Sequence, residues 1–285
     1  MRGISPVPTV AEKRRTFRAL HQNGCFVIPN PWDIGSARYL QHLGFKALAT
    51  TSSGAAWSLG YADGDVPLDV MLDHLRMIAA ASDLPVNADF TNGFADAPDA
   101  VAANVTMAVA TGIAGLSIED EIPGTGRLYD AEIAVARIAA ARAAIDASGG
   151  DTLLVARSEC FLTGHPKPLD EAISRLNKFA AVGADCLFAP GIRTREDIAA
   201  LVKAVAPKPV NVLVGWPSDL SVAELAGLGV RRISVGGALA RTAWGGFIGA
   251  AKDIAAKGSF GAFADAASGS ELDSFFKADS ARRAP

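Results

Sequence analysis

The stretch ATGIAGL, residues 110–116, decides the fold, because the same pattern returns at three other places in the chain. It is repeated as HLGFKAL at 42–48, as AVGADCL at 181–187 and as GLGVRRI at 227–233. Each copy contains the end of an amphipathic segment, then a glycine, then a short apolar run. A glycine in this place suits the left-handed residue that ends a helix, and the apolar run suits a buried strand. The pattern therefore predicts helices that alternate with buried parallel strands.

The alternation continues along the whole chain and defines the fold class. Apolar runs predict strands at 25–29, 47–51, 85–89, 115–118, 152–156, 186–189, 210–213 and 232–235. Amphipathic segments predict helices at 34–43, 69–81, 98–111, 131–147, 169–182, 195–205 and 222–228. Eight repeats without a break in composition favour an α/β fold, a single (β/α)₈ TIM barrel over residues 1–285, with a helical extension at 1–20 and a C-terminal extension at 258–285. A doubly wound open sheet is the alternative, but no GxGxxG or GxxxxGKS/T motif follows the first strand.

Composition limits the classes of partner. The chain has 285 residues, of which 50% are hydrophobic and 20% are charged, and its formal net charge is −3. This balance gives no electrostatic reason to expect nucleic acid or an anionic membrane as a partner. No run of about 18 apolar residues predicts a membrane span. The three cysteines have no metal-binding spacing, and the start of the sequence lacks the apolar segment of a secretion signal, so a cytoplasmic protein is expected.

Polar side chains at the ends of the predicted strands are the candidate functional residues. In a TIM barrel the loops at this end of the strands carry the active site. The third predicted strand ends with Asn87 and Asp89, the fourth is followed by Glu119, and the loop after the second contains Asp63. Carboxylates that converge from neighbouring strands repel one another unless a cation lies among them. Oxygen ligands without a histidine or cysteine cluster favour Mg²⁺ or Mn²⁺ over zinc.

Arg157 stands at the end of the apolar strand TLLVA, where an unpaired guanidinium would be costly. It is expected either to pair with Glu119 or Glu159, or to bind a substrate carboxylate in a bidentate manner. The turn that contains Ser53 is expected to offer a hydroxyl and backbone N–H groups to a second carboxylate or to an enolate oxygen. Whether His165 or Cys160 touches the substrate stays open.

Six stretches together resemble the isocitrate lyase/phosphoenolpyruvate mutase superfamily. They are NPWDIGSARYL, TSSGAAWSLGYAD, VNADFTNGF, GLSIED, LVARSE and KPVNVL, and they cover roughly residues 29–237. The resemblance implies that Asp89 is a direct Mg²⁺ ligand and that Asp63 and Glu119 hold the waters of the metal. Asn87 stands where many members have an aspartate, which makes it a fourth residue of the expected metal site. The resemblance also implies a homo-oligomer, a dimer or a tetramer, in which the last barrel helix is swapped between subunits.

The same resemblance implies a substrate site. The residues that correspond to the family's substrate-binding positions are Ser53, Gly54, Ala55, Asp89, Arg157 and Asn211. Among them Ser53 and Arg157, together with Asp63, are the expected catalytic residues. The substrate is expected to be a small 2-oxo or 2-hydroxy carboxylate, and the reaction is expected to pass through an enolate that the metal stabilises.

The sequence departs from the best-known members after the fourth predicted strand. Isocitrate and methylisocitrate lyases carry a Lys-Lys/Arg-Cys-Gly-His loop there, whereas this chain reads DEIPGTGRLYD at 120–130. Without the cysteine and the histidine, those two activities are disfavoured. We expect instead a lyase of oxaloacetate-like acids, a decarboxylase or a hydrolase. Phosphonopyruvate hydrolase, phosphoenolpyruvate mutase, a weakly active or non-catalytic keto-acid-binding protein and an unrelated class II aldolase-type barrel are the alternatives.

Overall fold

Eight parallel strands form one sheet in the computed structural model, which describes residues 7–283. These strands are β1 (Phe26–Ile28), β2 (Leu48–Ala49), β3 (Val86–Asp89), β4 (Gly115–Glu119), β7 (Leu153–Arg157), β8 (Cys186–Phe188), β9 (Val210–Leu213) and β10 (Arg232–Ser234). They follow the order β1-β10-β9-β8-β7-β4-β3-β2. The Ala49 N–H donates to the Pro29 carbonyl at 3.1 Å and so joins the two end strands of the sheet. The predicted (β/α)₈ barrel is confirmed.

Helices connect the strands and cover the sheet. They are α1 (Val10–Leu20), α2 (Ile34–His42), α3 (Ser52–Leu59), α4 (Leu68–Ala81), α5 (Pro98–Val109), α6 (Ala131–Ala147), α7 (Pro168–Ala181), α8 (Arg195–Ala204) and α9 (Val222–Gly227). The glycine of the opening motif, Gly112, has φ +89° and lies between α5 and β4. Gly44, Gly183 and Gly229 also have positive φ angles, so the repeated pattern forms the predicted helix end.

The N-terminal helix α1 packs against the end of the barrel at which the strands begin. A capping box between Thr9 and Glu12 fixes its start. Its Phe17 is fully buried in a cluster with side chains of the barrel interior, among them Phe26 and Leu153. The ring of His21 lies edge-on between Phe17 and Phe26. Residues 1–6 of the predicted N-terminal extension lie outside the described residues.

A short hairpin replaces the expected loop after β4. Its strands, β5 (Glu121–Ile122) and β6 (Arg127–Leu128), pair antiparallel. Tyr129, which follows β6, donates its hydroxyl to Asp96 and accepts a hydrogen bond from Asn92 at 3.1 Å. The guanidinium of Arg137 lies 3.9 Å from the centre of the Tyr129 ring. The segment after β4 is therefore fixed to the barrel.

The chain divides into two compact units, and all eight barrel strands belong to the unit Pro8–Gly237. The second unit consists of Met1–Val7 and Ala238–Pro285, of which residues 7 and 238–283 are described. It contains α10 (Ala238–Lys257), a 3₁₀ turn (Gly261–Asp265) and α11 (Gly269–Arg283). Phe247, Phe260 and Phe263 are each more than half exposed. The prediction of one domain over 1–285, and that of a swapped helix, stay predictions; residues 284–285 of the expected extension are not among those described.

Within residues 7–283, no helix is both long enough and apolar enough to cross a membrane.

Candidate active site

A cavity of about 150 Å³ opens at the carboxyl ends of the barrel strands. Five of the predicted site residues line it together: Ser53, Asp63, Asn87, Asp89 and Arg157. They come from the segment after β2, from β3 and from β7, which belong to the consecutive run β7-β4-β3-β2 of the sheet. The arc of strands inferred from the sequence therefore forms one face of a real cavity.

Arg157 is the centre of the charged part of this site. It is the last residue of β7, where its Nε and Nη2 donate to the carboxylate of Glu159. Its Nη1 lies 3.2 Å from Glu119 Oε2 and 3.5 Å from Asp89 Oδ1. Three carboxylates around the guanidinium raise the pKa of Arg157 further above its usual value, although burial opposes them. Both partners that the sequence left open, Glu119 and Glu159, are therefore used.

Burial favours the neutral form of the acids around Arg157. Burial raises the pKa of Glu119 to about 8, and the Arg157 charge opposes this rise only in part. Burial also raises the pKa of Glu159 to about 6. The pKa of Asp63 is raised because its carboxyl is partly withdrawn from water and because Asp89 is near. A cation or further hydrogen-bond donors would stabilise the ionised forms.

Asp120 holds the backbone that carries Glu159. Its carboxylate accepts hydrogen bonds from the Glu159 N–H at 2.8 Å, the Ser158 hydroxyl at 3.0 Å and Arg175 Nη1 at 3.3 Å. Glu159 is 1% exposed, so these bonds determine where its carboxylate meets Arg157. The sequence alone identifies Glu159 only as one possible partner of Arg157. The signal was the alternation in ARSE, which places an acid two residues after Arg157.

The segment after β2 begins with a helix, α3, at the place of the predicted turn that contains Ser53. Thr51 caps its start by accepting the Gly54 N–H, and Gly60 ends it at φ +81°. The N–H of Ser52, in the first turn of α3, donates to Asp89 Oδ2 at 2.9 Å. Ser53 Oγ is 3.1 Å from Thr51 Oγ1. The positive end of a helix dipole therefore adjoins the cavity.

Polar side chains also form the floor of the cavity. Arg232, in β10, donates through Nε to Asn211 Oδ1 at 2.8 Å and through Nη1 to Asn87 Oδ1 at 3.4 Å. Asn211 in turn donates to the Ser234 hydroxyl at 3.0 Å. Asn211 is fully buried and lies beneath the cavity rather than in its lining. Arg232 does line the cavity, and sequence reasoning had missed it because RRIS gives no sign that this arginine faces the barrel interior.

The site suits a divalent cation that keeps most of its water. No three His, Cys, Asp or Glu side chains among residues 7–283 lie close enough to hold a metal directly. Asp63 and Asp89 nevertheless line the cavity together, and Glu119 contacts Arg157 beside it, outside the lining. Burial raises the pKa values of Asp63 and Glu119, and a bound cation would offset this effect. Mg²⁺ is typically bound through one or two carboxylates and several waters. The donor set therefore fits this ion.

Cys160 and His165 are absent from the cavity lining. Cys160 Sγ lies 3.1 Å from Ser158 Oγ, and burial raises the pKa of its thiol to about 11, which disfavours the reactive thiolate. His165 Nδ1 accepts a hydrogen bond from the Lys167 N–H at 3.3 Å.

Known proteins similar to this chain share the barrel and much of the sequence. The profile of the phosphoenolpyruvate phosphomutase family matches residues 17–255. A candidate lyase/mutase from Burkholderia cenocepacia J2315, known from its crystal structure, is 46% identical with a TM-score of 0.90 over 94% of this chain and 97% of that one. Oxaloacetate acetylhydrolase in complex with its product oxalate is 28% identical with a TM-score of 0.84 over 95% and 96%. Oxaloacetate decarboxylase from Pseudomonas savastanoi pv. phaseolicola is 31% identical over 233 residues, 79% of each chain.

Proposed function

Since the chain belongs to the phosphoenolpyruvate phosphomutase family, we propose that it cleaves a carbon–carbon bond of a small 2-oxo or 2-hydroxy carboxylate with the help of Mg²⁺ or Mn²⁺. The protein is an enzyme of the phosphoenolpyruvate mutase/isocitrate lyase superfamily, in which carbon–carbon and carbon–phosphorus bonds are broken. The observation that supports the proposal most is the group of three carboxylates around Arg157 at one end of the cavity.

Three side chains are proposed to hold the cation: Asp89 directly, and Asp63 and Glu119 through water. Asn87 is the weakest member of the expected metal site, because its carboxamide oxygen accepts a hydrogen bond from Arg232. A guanidinium in contact with that oxygen disfavours a second cation there. When bound, a divalent ion stabilises negative charge on a substrate oxygen.

Arg157 and the start of α3 are proposed to bind and orient the substrate. Arg157 can present its guanidinium to a carboxylate, as bidentate recognition requires. Ser53 offers its hydroxyl at the positive end of α3. The N–H groups of Gly54 and Ala55 donate to the Thr51 side chain and carbonyl, so we assign these two residues a supporting role in the predicted substrate site.

An oxaloacetate-like acid is the preferred substrate. In decarboxylation the bond to the departing carboxylate breaks, CO₂ leaves, and the electron pair remains as an enolate that takes up a proton. In hydrolysis the C2–C3 bond breaks: the hydroxyl of water ends on C2 and completes oxalate, and a proton ends on C3 and completes acetate. The similarity to an oxaloacetate decarboxylase and to an oxaloacetate acetylhydrolase favours these reactions, and the hairpin without the lyase cysteine disfavours isocitrate cleavage.

Product analysis separates the candidates. The protein is incubated with oxaloacetate, phosphonopyruvate or methylisocitrate, with Mg²⁺ or with a chelator, and pyruvate, oxalate and phosphate are quantified. Asp89→Asn protein at the same concentration corrects for the decarboxylation that free metal ions cause. Metal-dependent release of pyruvate or oxalate from oxaloacetate supports the proposal, whereas release of pyruvate together with phosphate from phosphonopyruvate favours a phosphonopyruvate hydrolase. Turnover of none of the three, together with binding of pyruvate, would identify a keto-acid-binding protein instead.

We also propose that the protein is a cytoplasmic homo-oligomer. Three phenylalanines of the second unit are more than half exposed: Phe247 in α10, Phe260 just before the 3₁₀ turn and Phe263 within it. Their exposure favours burial against another subunit. Light scattering coupled to size-exclusion chromatography tests this, and a mass of 29.4 kDa would contradict it.

A further inference from the structure

Arg232 is a buried cation whose partners are neutral. It is 2% exposed, and its hydrogen bonds reach the carboxamide oxygens of Asn211 and Asn87. No carboxylate of residues 7–283 forms an ion pair with it. A buried guanidinium is usually compensated by an anion, because carboxamide dipoles replace only part of the hydration that it has lost. An anion in contact with Arg232 would compensate the rest of this lost hydration.

The cavity gives such a partner a path to Arg232. A TIM barrel is ordinarily filled by bulky branched side chains in its interior layers. Here three small residues, Ala49, Ser117 and Ser234, contribute to the lining along with Arg232. The lining thus includes residues at the carboxyl ends of strands, Asp89 and Arg157, and Arg232 at the start of β10, so the cavity extends from the rim into the barrel and reaches Arg232.

The two arginines of the cavity contact residues of β3 that are two positions apart. Arg157 Nη1 approaches Asp89, and Arg232 Nη1 approaches Asn87, two residues earlier in the same strand. Two residues of a strand span roughly 7 Å. A four-carbon diacid is long enough to place one acidic group near each guanidinium, whereas a short monoacid can reach only one of them.

We propose that Arg232 binds the second acidic group of a small dianionic substrate whose first acidic group lies at the Arg157 end, so that the site selects dicarboxylates. This inference rests on the proposed function, since it deepens the choice of substrate at the same site. Arg232 is then a specificity residue, and Asn87 and Asn211 orient its guanidinium. If Arg232 only holds the two asparagines in place, its replacement should affect the binding of succinate and of pyruvate in parallel.

Calorimetric titration with succinate and with butyrate, which differ in one carboxylate, tests the assignment. Wild-type protein should bind succinate at least tenfold more tightly than butyrate. Arg232→Gln should abolish this preference and leave pyruvate affinity within about twofold, while Arg232→Lys should retain part of it. Arg231→Gln is the matched control and should behave as wild type, because Arg231 precedes β10, donates to the Gly24 carbonyl and does not line the cavity.

Other outcomes overturn the assignment. If wild type and Arg232→Gln prefer succinate over butyrate to the same extent, Arg232 does not bind the ligand. If a folded Arg232→Gln loses affinity for succinate and for pyruvate in parallel, the role of Arg232 is structural. If Arg232→Gln does not fold, Ala49→Val serves instead, because its larger side chain narrows the cavity above Arg232 and should lower the affinity for succinate but not for pyruvate. If Ala49→Val lowers neither affinity, the inference fails. Wild-type protein that binds pyruvate without preferring succinate refutes this inference alone, whereas failure to bind any of the acids refutes the proposed function as well.

Discussion

Replacing Arg157 by methionine should destabilise the folded protein substantially, because it removes the cation from a buried group of acids. Glu159 is 1% exposed and Glu119 is 18% exposed at the side chain, so neither carboxylate is well hydrated once the guanidinium is gone. Breaking a buried ion pair from one side typically costs about 3–5 kcal/mol. We expect a loss in this range in the free energy of unfolding of Arg157→Met.

A double-mutant cycle with Glu159→Gln identifies the source of the loss. If the unpaired charge is the cause, Arg157→Met/Glu159→Gln should be more stable than the sum of the single changes by about 0.5–3 kcal/mol. The assay is urea unfolding followed by tryptophan fluorescence at pH 8. Arg195→Met is the matched control, since its ion pair with Glu224 is exposed at 43% and 42% and its loss should change stability little.

Two results would refute this reasoning. The first is an Arg157→Met variant within about 1 kcal/mol of wild type, since a buried charge left without its partner costs more than that. The second is strict additivity of the two changes, because residues in direct contact are expected to couple.

Three further predictions concern single positions elsewhere in the barrel. Burial, and next the nearby positive charge, lowers the pKa of His21 to about 3, so below pH 6.5 the unfolded chain takes up a proton at this residue that the folded chain does not. Between pH 7 and 5 the wild type should therefore lose about 2 kcal/mol relative to His21→Gln, as judged by urea midpoints, because Glu119 and Glu159 titrate alike in both proteins. Gly115→Ala should cost about 1–3 kcal/mol in thermal unfolding, because the added methyl would lie 2.7 Å from a Phe17 ring carbon, whereas Gly245→Ala meets no atom within 4 Å and should not destabilise. Asp120→Asn leaves three donors without their carboxylate and should raise KM for the anionic substrate more than it lowers kcat; an unchanged KM would contradict a positioning role.

The strands were predictable because each combines an apolar run with a local stop signal. The glycine before β4, Gly112, ends a helix by its own conformational freedom, and this requires no knowledge of distant residues. The helix α3 was missed because SSGAAWSL contains residues that also favour loops. Its formation depends on Thr51 and Gly60, which cap it at both ends.

The residues at the rim of the candidate site were predictable from the sequence. Asp89 and Arg157 end their strands, so any closed barrel brings them to the same edge. The floor was not predictable, because the contact between Arg232 and Asn87 joins residues 145 positions apart and depends on how the strands are staggered. A sequence does not specify that stagger until the barrel is closed.

The three small side chains below the rim, Ala49, Ser117 and Ser234, have a consequence for how this barrel can change over time. The strands that carry them are held by backbone hydrogen bonds, so a larger residue shortens the cavity without moving the acids above it. The length of the molecule that fits and the chemistry done to it are therefore encoded by different residues. Either property can drift, or be redesigned, while the other is kept.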